Sequence, residues 1–225
     1  RQSTVYRPKQ SVTELKRKMQ EEDPYSQSFT ATKTKDFPLE RPKFMSEQKM
    51  NSAEKGTATH AVMQNLDYQF VSSHEEIIDQ INSLVLKELI TQEQGEAVNS
   101  LEIFEFCQSQ LGQLVINSNQ NLREVPFSYG VSTNEIYKDW EDEEEVVLIQ
   151  GIIDLLLIDG DEIILIDYKT DRTGAFATSD VLKQEAIRRY GVQLDLYSKA
   201  IEAGMDKKVK AKYLYFFDGR HIVEL

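Results

Sequence analysis

The chain has 225 residues, 40% of them hydrophobic and 28% charged, which is ordinary for a soluble globular protein with one sizeable core. No apolar run approaches the roughly 18 residues of a membrane span, no basic-then-apolar leader opens the chain, and Cys107 alone excludes an internal disulfide or a four-cysteine iron-sulfur or zinc site built from this chain, so a cytoplasmic setting is expected. The net charge of -12 argues against free-standing, non-specific duplex binding, which draws on lysine and arginine, although acidity also simply keeps a protein soluble.

Residues 1–45 read as an extended arm, polar and punctuated by Pro8, Pro24 and Pro38, with a short helix opened by the Ser11-x-x-Glu14 capping box. The chain opens on Arg1 rather than methionine, from which a fragment of something longer is expected. Residues 46–225 are the expected domain. Residues 46–70 read as helical, with Ala53, Gly56 and His60 on a stripe of small residues able to approach a sheet closely. Residues 73–116 carry two helical patterns, one through Ile77, Ile81, Leu84 and Val85, the other through Ala97, Leu101, Phe104 and Leu111, with a break at Gly95. His74 and His221 read as structural. Residues 121–129 read as a short strand, with Pro126 marking an edge or an end position, and residues 140–145, Trp followed by five acids, as a solvated loop.

Residues 146–158 and 162–166 are apolar on both alternating faces, as central strands covered by helices on each side would be, with Asp159-Gly160-Asp161 as the turn. A two-residue loop at Gly160-Asp161 sets Asp154 opposite Asp167, one at Asp159-Gly160 makes them diagonal neighbours, and only a three-residue loop, pairing Asp154 with Ile166, sends them to opposite faces. Lys169 follows Asp167 by two and shares its face. Carboxylates on neighbouring strands stand about 5 Å apart. At an effective dielectric of 20 they repel by roughly 3 to 4 kcal/mol, which a proton or cation must offset. Oxygen ligands on a rigid sheet favour Mg²⁺ or Mn²⁺. A single Asp-x-Lys is more simply a salt bridge at a sheet end; two aspartates and a lysine on one face of an apolar hairpin favour a metal site. Beyond the hairpin, Ser179 or Asp180 caps a helix through Arg189, a second helix runs from Gly191 to Ala203 and stops at Gly204, and residues 209–225 form a closing hairpin. Gln193 and Tyr197, four apart, share one helical face.

The strings GIIDLLLI and ILIDYKTD, each side of the turn, resemble the D…(D/E)-X-K core of the restriction-endonuclease-like nucleases, specifically their RecB-type branch. The proline naming the superfamily is replaced by Ile153 before Asp154, a departure common in that branch. Gly56-x-x-x-His60, the glutamate of Arg123-Glu124-Val125-Pro126-Phe127 and Gln193-x-x-x-Tyr197 match further RecB-type motifs in the expected order. Together they look most like the nuclease domain of the AddA, or RexA, family of helicase-nuclease subunits.

The resemblance implies an α/β fold with a central mixed β-sheet flanked by helices. It implies Mg²⁺, replaceable by Mn²⁺ or Ca²⁺, held by His60, Asp154, Asp167 and the backbone carbonyl of Tyr168, with Glu124 as an auxiliary carboxylate and Lys169 catalytic. Gln193 and Tyr197 would lie along bound single-stranded DNA, with Arg188 and Arg189 as phosphate contacts. It also implies helicase domains of the same polypeptide and an AddB or RexB partner. No G-x-x-x-x-G-K phosphate loop occurs in these residues, so a motor is expected outside them. The function expected is metal-dependent exonuclease action in double-strand-break repair. The alternative is a nuclease-like fold kept as a non-catalytic DNA-binding or docking module. A Cas4-like exonuclease would need a cysteine cluster that Cys107 alone does not provide.

Overall fold

A computed structural model describes residues 9–11, 50–132, 146–174 and 178–225. The acidic run 140–145 and the residues after Ser11 expected to form a short helix lie outside them. At the centre is the apolar hairpin of β3 (Val146–Asp159) and β4 (Glu162–Lys169), turned through Gly160 at a left-handed φ of 58°. Asp159 pairs with Glu162 and Leu155 with Ile166, so the loop is Gly160-Asp161, the first of the three alternatives.

β2 (Asn121–Ser132) lies antiparallel along β3 from Leu157 to Val146. Three residues longer than expected, it has no other partner among the described residues, and Pro126 fits such an edge. β5 (Lys208–Phe216) lies parallel to β4, and β6 (His221–Glu224) closes antiparallel on β5 beyond a 3₁₀ turn, Asp218–Arg220. β1 (Lys9–Ser11), from the expected arm, adds parallel to β3 at Leu148 to Gln150. Because β2 occupies one edge of β3 from Val146 to Leu157, β1 and β4 share the other edge, and β4 turns away after Leu155↔Ile166. The mixed sheet thus forks one step before the two aspartates.

Helices cover both faces. On one lie α1 (Ser52–Asn65), α2 (His74–Leu86), α3 (Gln92–Ala97), α4 (Ser100–Gln108) and α5 (Gln110–Ile116), packing Ala58, Ile77, Ile103 and Phe106 onto Leu155, Tyr168 and Tyr215. On the other, α6 (Ser179–Met205) packs Leu194, Tyr197 and Ile201 onto Ile153, Leu156, Leu165 and Leu214. None of these helices is long and apolar enough to cross a membrane.

Several expectations on helices and strands need correction. Residues 73–116 form four helices instead of two: Thr91 and Ser109 cap new ones, Gly95 lies within α3, and Ile103, Phe106 and Cys107 face inward while Leu101 is exposed. The two helices expected after the hairpin are one of 27 residues, capped by Thr178 and ended by Asp206 at φ 52°, beyond Gly204. Gly191 costs a helix about 1 kcal/mol, a local penalty that burial of Tyr190 and Leu194 on each side overrides. The first half of β3 is not covered on both faces, since Val146, Leu148 and Ile152 are exposed there.

Candidate active site

The strands change phase where the carboxylates sit. In β3, Ile149 and Ile153 face the α6 cluster and so do Leu156 and Ile158, three residues on instead of two or four. β2 makes the same slip between Val125 and Leu122. Arg123↔Leu155 and Val125↔Ile153 keep one register, so the slips coincide and leave Glu124 and Asp154 out of the ladder facing each other. Glu124 absorbs its share at φ 48°, a conformation that non-glycine residues rarely adopt. Continuing the β3–β4 register by one step sets Asp154 opposite Asp167. The ladder has stopped there, and Asp154 Oδ2 accepts the Tyr168 amide at 2.8 Å in place of a backbone carbonyl.

α1 supplies the histidine. Asn51 and Glu54 form a capping box at its start, and Gly56 lets it approach the strand end so closely that a Cβ there would lie 2.7 Å from Thr170 Oγ1. Ala53, on the same expected stripe, is exposed. His60 Nδ1 lies 3.2 Å from Asp154 Oδ1 and 4.0 Å from Glu124 Oε1. His60, Glu124 and Asp154 offer donor atoms within 4.8 Å of one another. Two carboxylates and one imidazole suit a hard or borderline divalent cation, and a shell with metal–oxygen distances near 2.1 Å spans about 4 Å, so a small inward movement closes the set.

Asp167 faces the other helix. Its Oδ2 is 2.5 Å from Lys169 Nζ, and its Oδ1 accepts from Gln193 Nε2 at 3.2 Å. The same Nε2 donates to Tyr197 Oη at 2.8 Å. Asp167 is 2% exposed, and burial raises its pKa above the usual carboxylate value. The Lys169 ammonium opposes that rise, the Asp154 charge adds to it and His60 offsets it in part. Burial likewise lifts Tyr197 well above the ordinary phenol range, with further lift from Asp167, Asp154 and Glu124. The fields of all three carboxylates therefore reach one α6 side chain.

The structure brings His60, Glu124 and Asp154 together, and Asp167, Lys169, Gln193 and Tyr197 beside them across the fork. Tyr168 is buried, with its amide on Asp154. Arg188 and Arg189 are both engaged by Glu185 on α6. His74 bonds Ser100 at 2.9 Å, away from the site. Two contributors went unread in the sequence. The Tyr190 ring lies 4.3 Å below Lys169 Nζ, with its hydroxyl on Asp171 at 2.9 Å. Tyr190, Gln193 and Tyr197 form an i, i+3, i+7 stripe, visible only if α6 is read as unbroken. Arg123, the other, contacts α1 some 60 residues away, and no local pattern announces it.

A family model described as the PD-(D/E)XK nuclease superfamily matches residues 33–224. Similar curated proteins include three that are named as the A component of an ATP-dependent helicase/nuclease. That of Listeria welshimeri is 40% identical, one from Bacillus cereus 42% and one from Bacillus velezensis 41%, each over 99 to 100% of this chain. The chain spans 18% of the length of each of these relatives. Carboxylates on β2, β3 and β4 at the sheet fork, a lysine two residues after the last, and a family match over most of the sequence agree: the chain belongs to the PD-(D/E)XK nuclease superfamily.

Proposed function

We propose that the chain is a divalent-cation-dependent deoxyribonuclease that hydrolyses phosphodiester bonds of single-stranded DNA exonucleolytically. The observation that carries this reading is the convergence of His60, Glu124 and Asp154 within 4.8 Å, with the Asp167–Lys169 pair across the fork. His60, Asp154, Asp167 and the Tyr168 carbonyl would hold Mg²⁺, with Glu124 as an auxiliary carboxylate. A bound divalent ion supplies a water of lowered pKa and positive charge against the phosphoryl oxygens.

The chain's own groups do the rest. Lys169, drawn from Asp167 toward the phosphate, orients the water and opposes the negative charge that develops as the phosphorus–oxygen bond forms. Gln193 and Tyr197 line the strand's path, and Arg188, exposed, and Arg189, half-buried, exchange Glu185 for phosphates. The names of the relatives, which pair a helicase with a nuclease, support helicase domains in the same polypeptide; action on the strands those domains release, in double-strand-break repair with an AddB or RexB partner, is proposed on the motif resemblance alone. End-labelled single-stranded DNA incubated with the protein tests the reading. Degradation is expected with Mg²⁺, and neither with EDTA nor with Asp167→Ala; equal signal in all three contradicts it.

A further inference from the structure

α1 carries His60 but has no basic residue in its own last turn, where the final carbonyls lack intrahelical donors. Arg123, on β2, supplies them. Its Nη1 donates to the carbonyls of Leu66 at 2.5 Å, Gln64 at 3.1 Å and Met63 at 3.5 Å, while its Nε donates to Asn121 Oδ1 at 3.3 Å. Met63 and Gln64 follow His60 by three and four residues, so the turn gripped is the one next to the histidine. The residue after Arg123 is Glu124. A regular strand would send the two side chains to opposite faces. The φ of 48° at Glu124 breaks that alternation, so Arg123 grips α1 while Glu124 lies 4.0 Å from His60 on the same helix.

A third segment joins the contact. The guanidinium lies 4.3 Å over the ring of Tyr68, whose buried hydroxyl lies against that of Tyr168. Tyr168 stands between Asp167 and Lys169, and its amide binds Asp154. One side chain thus links the elements bearing His60, Glu124 and the Asp167–Lys169 pair.

We infer that Arg123 is a positioning residue for the cation site: it fixes α1 against β2 so that His60 stands beside Glu124 and Asp154, without itself touching ion or nucleic acid. This rests on the reading of the carboxylate cluster as a cation site. A supporting layer of this kind changes metal affinity by about 10- to 100-fold when removed.

The test is Mn²⁺ binding, followed by calorimetry and by loss of the free-ion paramagnetic resonance signal in EDTA-treated, dialysed protein, at a temperature where circular dichroism shows each variant folded. Arg123→Met is expected to weaken Mn²⁺ about tenfold or more. Arg123→Lys, which keeps a donor for the carbonyls but not the fork, should fall between it and the wild type. Val62→Ala, a buried cavity in the same helix, serves as the stability control and should leave affinity within about twofold while lowering the melting temperature. Wild-type affinity in Arg123→Met, or an equal loss in Val62→Ala, overturns the inference. Should Arg123→Met not fold, Arg123→Lys decides, and wild-type affinity there overturns it. Absence of Mn²⁺ binding by the wild type, or undiminished binding by Asp154→Asn, instead brings down the cation-site reading and the inference with it.

Discussion

On the α1 side of the fork two carboxylates, Glu124 and Asp154, meet the His60 imidazole, whereas on the α6 side Asp167 has the Lys169 ammonium 2.5 Å away and the Gln193 amide at 3.2 Å. The α6 side carries its own counter-charge, the Lys169 ammonium, with the Tyr190 ring beneath it. On the α1 side His60, Glu124 and Asp154 offer donor atoms within 4.8 Å of one another, a set that suits a divalent ion. Under the proposed function this is a division of labour across one forked hairpin: His60 and Asp154 from one flank and Asp167 from the other would hold the cation, with Lys169 kept beside it and outside its shell.

Separating the two flanks gives the largest expected effects. Asp154→Ala and Asp167→Ala should each lower degradation of end-labelled single-stranded DNA by about a thousandfold or more. Lys169→Ala should lose roughly a hundredfold in cleavage yet bind Mn²⁺ within about threefold of wild type, because it removes a contact realised in the transition state and no ligand. If calorimetry shows metal affinity collapsing with Lys169, the division drawn here is wrong.

A pH comparison sharpens the same contrast. Asp167 has a folded-state pKa raised above 3.8, so its contribution to stability is fully present below that value and is lost as pH rises through the folded pKa. In cation-free buffer the stability of the wild type relative to Asp167→Asn should therefore decline as pH rises from about 4 toward 7, as measured by urea unfolding. A difference that grows with pH would mean that the Lys169 ammonium outweighs burial.

The two flanking helices differ in their glycines. A Cβ on Gly56 would press within 2.7 Å of Thr170 Oγ1, whereas one on Gly191 meets nothing nearer than Ile187 at 3.8 Å. Gly191→Ala should stabilise by about 0.5 to 1 kcal/mol through helix propensity. Gly56→Ala should destabilise by about 1 kcal/mol despite that gain, because α1 must back away from β4. Equal signs in chemical denaturation would show that α1 has room to spare. The smallest expected effect is at the α6 surface: Arg188→Ala should raise KM for DNA about threefold at low salt and leave kcat unchanged, as a solvent-exposed phosphate contact would.

The hairpin is legible because its signals are local: alternating apolar runs about a turn, with acids at positions that a core rejects. Those same residues limit the register to three alternatives, and Asp159↔Glu162 selects the one that aligns Asp154 with Asp167. His60 and Gln193 stand out through spacing on single helices together with the motif resemblance. What escapes is non-local or cooperative. Gly191 reads as the start of a second helix because propensity is scored residue by residue, yet the packing of Tyr190, Leu194 and Tyr197 carries α6 through it, and a helix broken before Gly191 would hide Tyr190 from its stripe. The paired slip at Glu124 and Asp154 leaves the register intact, so no count of residues reveals it. Arg123 reaches a helix terminus some 60 residues away, a contact that only the fold creates.

The most direct measurement is a crystal structure of the protein soaked in Mn²⁺, read by the ion's anomalous scattering. One peak is expected within coordination distance of His60, Asp154 and Asp167, with Glu124 drawn toward it and Lys169 outside the shell. A peak elsewhere, or none while Asp154 keeps the Tyr168 amide and Asp167 keeps Lys169, would contradict the assignment of the fork as a cation site.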